Sequence, residues 1–185
     1  MNIKYITITF FFTFFSLAAM ASDSGGYIDK PTEKASELVK KYVISGDSDK
    51  PSILNNLTKL ADSNPENINV IRIYTSLLSS ERMYKKAISY LEPINKSKTT
   101  SSLLLQECML KDRINKTDLS CYKKVVFLSE KNGTENMDYL MALFFSDDEK
   151  FEKKKNTLIK NNHSLENNFS IFSYDKKSVL QSIYP

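Results

Sequence analysis

Tryptophan is absent, histidine occurs once, cysteine twice, glycine four times and proline five times in this chain of 185 residues. Each shortage excludes a class of chemistry. No glycine stands in a run that would cradle a phosphate ahead of a helix. His163, the lone histidine, lies in an Asn-rich stretch, and no Ser/His/Asp or Cys/His set assembles around it at a recognisable spacing. Cys108 and Cys121 are too far apart for a CxxC pair, and no HExxH is present, so neither a zinc nor a redox motif is available. A formal net charge of +4 is too mild to argue for nucleic acid. Only one long apolar run occurs, at the very start.

That run, residues 5–17, follows Lys4 and precedes Ala19-Met20-Ala21. A positive end, a short apolar stretch and a small-x-small site predict a secretory leader over residues 1–21 that is cleaved after Ala21. The run is shorter than the roughly 20 residues a membrane span needs. No cysteine stands at the cleavage point for a lipid anchor. Five of the eleven phenylalanines leave with the leader: Phe10, Phe11, Phe12, Phe14 and Phe15. The remaining roughly 160 residues suffice for one core or one short solenoid. Two cysteines in an exported chain fit an oxidising compartment, and a bacterial periplasm is the expected location.

Residues 22–30 read as a flexible lead containing Gly25-Gly26. Beyond it the apolar residues recur at helical spacing. Pro31-Thr32-Glu33 opens a helix with Ala35, Leu38, Val39, Tyr42 and Val43 on one side, and Gly46 ends it. Asp47-Ser48-Asp49 would cap the next helix, with Pro51 in its first turn. A calcium loop would need more oxygen ligands than these two acids supply. Asn64-Pro65-Glu66 suits a third start, Asn64 as the cap. Thr134 reads as a cap after Gly133, and Asp147-Asp148-Glu149 as acids at a helix N-terminus. Phe169, Ile171, Phe172 and Tyr174 come near alternation, which predicts a short strand or an extended strap before a last helical turn bearing Leu180 and Ile183.

The apolar pattern repeats after 34 residues. Ile71 maps to Leu105 and Tyr139, Tyr74 to Cys108 and Ala142, Ala87 to Cys121, and Leu91 to Val125 and Ile159. Two helices per unit at that period resemble a tetratricopeptide or Sel1-like repeat. Residues 82–93 resemble the second helix of such a unit, and Pro65 its closing proline. The resemblance implies an all-α fold: a short right-handed solenoid of stacked antiparallel helical hairpins over residues 31–162, with an irregular C-terminal cap over residues 163–185.

In that family small residues of the paired helices meet, and Cys108 and Cys121 fall beside and at those positions. This implies a disulfide across one hairpin in an oxidising compartment; the other reading is two buried thiols. The resemblance also implies a concave face lined by first helices. By helical phase that face carries Asn69, Arg72 and Ser76, then Leu103, Gln106, Leu110 and Arg113, then Leu140 and Phe144. An apolar centre with an arginine rim suits a partner protein, or the same residues cover neighbouring helices. No catalytic residue, metal or cofactor is expected. The expected function is a non-enzymatic periplasmic protein-binding module, most specifically an immunity protein against a toxin delivered there. The alternative is an envelope assembly scaffold or peptide-binding adaptor. Its partner would be a protein, with no nucleic acid and no membrane contact after the leader is removed.

Overall fold

The computed structural model describes residues 28–161 and 169–185. The leader expected over residues 1–21, most of the lead expected over residues 22–30, and His163 lie outside the described residues. Within them the chain is all-α, with nine α-helices and no strand. They are α1 (Lys30–Ile44), α2 (Lys50–Asp62), α3 (Ile68–Ser80), α4 (Tyr84–Ser97), α5 (Ser101–Arg113), α6 (Leu119–Lys131), α7 (Met137–Phe145), α8 (Phe151–Asn161) and α9 (Lys176–Ile183). Each helix from α1 to α8 packs on the next, except that no comparable packing is shared by α8 and α9. In addition α1 packs on α3, α5 on α7, and α9 on α5.

Local chemistry sets the helix ends. Asp29 caps α1 through Thr32 N (2.9 Å), and Asn67 caps α3 through Asn69 N (3.0 Å) and Val70 N (3.1 Å). The two caps also meet, since Asn67 Nδ2 donates to Asp29 Oδ1 at 2.9 Å. The Thr32 amide and hydroxyl, more than the Asn67 amide, hold the Asp29 carboxyl below its ordinary value. Three expected caps are corrected. The cap of α3 is Asn67 and not Asn64, whose carbonyl instead closes the preceding turn on Asn67 N. Asp49 stands at the start of α2 without a side-chain capping bond, and Asp47 pairs with Lys50 at 2.9 Å. Asn136, not Thr134, caps α7, because the Thr134 hydroxyl is turned back to Ser129 O.

The turns after α3, α5 and α7 repeat one geometry. Arg82, Asn115 and Asp147 have φ of 59°, 60° and 55°, and each stands two residues past its helix. The next amide reaches back to the helix: Met83 N to Leu78 O (2.8 Å), Lys116 N to Lys111 O (2.8 Å) and Asp148 N to Leu143 O (3.0 Å). These are Schellman closures, which satisfy carbonyls that the helix end leaves unpaired. Gly133 (φ 65°) makes the same closure after α6, with Thr134 N on Ser129 O at 2.9 Å.

Helix α5 is the centre. Every residue from Leu103 to Leu110 is buried, so this helix has no solvated stripe over two turns. It separates two apolar clusters. Leu103 and Leu110 join the cluster of α1–α4, while Leu104, Leu105, Cys108 and Met109 join that of α6, α7 and the C-terminal segment. Buried tyrosines tie neighbouring helices by their hydroxyls: Tyr74 with Thr58 (2.6 Å), Tyr122 to Asp112 (3.0 Å) and Tyr139 to Glu130 (3.0 Å). Cys108 of α5 and Cys121 of α6 are paired as a disulfide, with Cα atoms 5.7 Å apart.

The strand or strap expected near Phe169 is corrected to a 3₁₀ turn at Ser170–Ser173, followed by α9. A 3₁₀ turn eclipses residues three apart, which places Phe169 and Phe172 together with ring centroids 6.2 Å apart. Both are buried, and Tyr174 is exposed. Phe144, Phe145, Phe151 and Phe172 form a ring cluster with neighbouring centroids 5.1–5.4 Å apart.

Candidate functional site

Helices α3, α5 and α7 line a groove of about 280 Å³. Arg72 and Ser76 come from α3, Ser102, Leu105, Gln106 and Met109 from α5, and Met137, Asp138 and Met141 from α7. The C-terminal segment supplies the remaining wall with Ile183 and Tyr184.

The segment is pinned there by a second set of contacts. Arg113 Nε donates to Tyr184 O at 2.6 Å, its guanidinium lies 5.7 Å from the Tyr84 ring centroid, and the Tyr84 hydroxyl donates to Pro185 O. Lys176 bridges to Asp147 at 2.6 Å and donates to Phe145 O at 3.1 Å. Tyr184 packs against both apolar clusters. Burial, ahead of the nearby Asp138 charge, pushes its phenol up.

The polar atoms of one wall are hydrogen-bonded to one another. The Thr75 hydroxyl donates to Gln106 Oε1 at 3.1 Å, and Gln106 Nε2 donates to Ser79 Oγ at 3.4 Å. Arg72 is exposed at the rim and donates to Asn69 Oδ1 at 2.6 Å. Asp138 differs. Burial pushes its carboxyl up, against a hydrogen bond from Ser102 and the positive charge of Arg72. No ion pair within 4.0 Å reaches it among the described residues.

The residues expected on a partner face are split by the structure. Arg72 and Gln106 line the groove. Leu103, Leu110 and Leu140 are corrected to core residues, at 1%, 0% and 0% exposure, because α5 and α7 are enclosed by packed neighbours rather than left open on that side. Arg113 holds the C-terminal segment, and Phe144 is engaged in the ring cluster. The sequence alone does not distinguish Ser102, Asp138 and Tyr184. Asp138 carried a signal only as an acid in the first turn of a helix, which dipole chemistry already accounts for.

Among the described residues no group of three His, Cys, Asp or Glu is placed to hold a metal ion, and no helix is long and apolar enough to cross a membrane. No family model matches the chain, and comparison with curated proteins and with solved structures found no significant match to either.

Proposed function

We propose that this chain is an exported, non-enzymatic protein-binding module, its helix pairs stacked as a short right-handed solenoid of tetratricopeptide type. Its most specific form is an immunity protein that neutralises a toxin delivered to the periplasm by a competing cell. The observation that carries this reading is the groove: three successive first helices present one partly polar recess, walled on its far side by the C-terminal segment. Two features support it. The same Schellman turn closes α3, α5 and α7, and α6 as well, so the connections recur along the chain as in stacked repeats. The cysteine pair suits an oxidising compartment. A second reading, a peptide-binding adaptor or envelope scaffold, is favoured by the groove's size. At about 280 Å³ it has room for a side chain of an extended segment.

The test is affinity capture with the exported chain as bait, followed by toxicity assays on cells lacking it. An immunity protein retains a single partner at equal stoichiometry, and cells without it die when that partner reaches their periplasm. An adaptor retains several partners weakly. Capture of nothing, with no loss of protection in the deleted strain, overturns both.

A further inference from the structure

We propose that the groove receives one cationic side chain, a lysine or arginine of the partner, with its aliphatic stem on Leu105, Met109 and Met141 and its charged head against Asp138. This rests on the protein-binding reading above and names the chemistry that the recess selects.

Three observations converge. The first is the lining. Leu105, Met109 and Met141 are nearly buried and lie beside Asp138 in one recess. Methionine walls are soft and polarisable, so they accept an irregular aliphatic stem. Lysine and arginine have that shape, an apolar stem ending in charge. The second is the state of Asp138. It is a carboxylate in a partly desolvated recess without an ion pair within 4.0 Å among the described residues. A partly buried carboxylate left in this way is stabilised by an arriving cation.

The third is the contrast with other acids at helix starts. Asp29, Asp118 and Asp175 are held below the ordinary carboxylate value, chiefly by the hydrogen bonds they accept from Thr32, Ser120 and Ser178. Asp138 stands in the first turn of α7, yet Asn136 Oδ1 takes the Tyr139 amide and Asp138 is displaced upward. Asp138 is therefore not a cap: it stands in the first turn, where the helix dipole favours an acid, and it also lines the recess. Arg72 is the charged group that faces it from α3. Its tie to Asn69 keeps it at the rim, where its charge opposes a cationic guest.

The experiment is a titration of the full mature chain, methyl-labelled at methionine, with N-acetyl-lysine-N-methylamide. The norleucine and glutamate analogues serve as comparisons. The lysine compound should shift the methyl signals of Met109, Met137 and Met141, and the norleucine compound should not. D138N should weaken lysine binding by about tenfold or more, or ~1.4 kcal/mol. R72A should strengthen it, because a like charge is removed. R72A alters an exposed side chain, so it reports on the same field even if D138N disturbs the fold. Equal binding of norleucine, or lysine binding that neither variant changes, overturns the proposal. So does glutamate binding that R72A abolishes, since the recess would then be an anion site. If the lysine compound binds while no macromolecule is ever captured, the recess chemistry stands and the module reading falls. If a partner is captured and D138N leaves its affinity unchanged, the module reading stands and the cation assignment falls.

Discussion

Cys108 and Cys121 join α5 to α6 with Cα atoms 5.7 Å apart, so the central helix is tied covalently to its hairpin partner. The bond closes a loop with a sequence separation of 13 residues. By chain-entropy reasoning such a loop stabilises the folded state by about 2–4 kcal/mol. Cys108→Ser should therefore lower the melting temperature of protein prepared under oxidising conditions. In excess reductant the parent should lose most of that advantage. Coincident melts of parent and variant under oxidising conditions would refute the contribution.

Arg82, Asn115, Asp147 and Gly133 share the left-handed backbone region, but only Gly133 adopts it without a Cβ penalty. Arg82→Gly should stabilise the protein by about 0.5–1 kcal/mol, the Cβ penalty less the entropy cost of glycine. Gly133→Ala should destabilise it by about 1 kcal/mol, although nothing lies within 4 Å of the added methyl. Urea denaturation of both variants measures the pair. A change of the same sign in both would show that side-chain contacts outweigh backbone strain.

Leu110 is fully buried between α5 and the first apolar cluster. Leu110→Ala should cost about 2–5 kcal/mol in unfolding free energy. Phe127→Ser, at a phenylalanine 62% exposed, should change it by less than about 0.5 kcal/mol. Denaturant melts distinguish this from a surface role for Leu110, which would leave stability intact.

These positions show what was legible in the sequence and what was not. The helix pairs could be read because Ile71, Leu105 and Tyr139, or Ala87 and Cys121, repeat at one period and are set by local spacing. The resemblance to a helical-hairpin repeat implies the cysteine pairing, with two buried thiols as the other reading, and the structure shows the pair. Helical phase puts Leu103 and Leu110 either on a partner face or over neighbouring helices, and the first of these presumes that each helix has a solvated side. Helix α5 has none between Leu103 and Leu110, since it serves one cluster on each flank. The groove was hidden for a related reason. Its far wall, Tyr184, is held by Arg113, a contact between distant parts of the chain that no local spacing encodes. The 3₁₀ turn at Ser170–Ser173 escaped because Phe169 and Phe172 satisfy both a near-alternating pattern and a three-residue one.

Asp138 links site and stability through its titration. Burial raises its carboxyl above the ordinary value, so the folded chain holds this proton more tightly than the unfolded chain. The associated stability is complete below the unfolded value, near pH 4, and is lost as the pH rises through the folded one. Ionising this carboxyl therefore works against folding, despite the hydrogen bond from Ser102 and the charge of Arg72. Asp138→Asn should raise the unfolding free energy at pH 7, and this advantage should shrink as the pH is lowered towards 4, where the parent's own carboxyl becomes neutral. Urea melts of both proteins across that range measure the difference, in which the titration of all other groups cancels. A variant less stable than the parent at pH 7 would mean that the first-turn dipole of α7 outweighs desolvation.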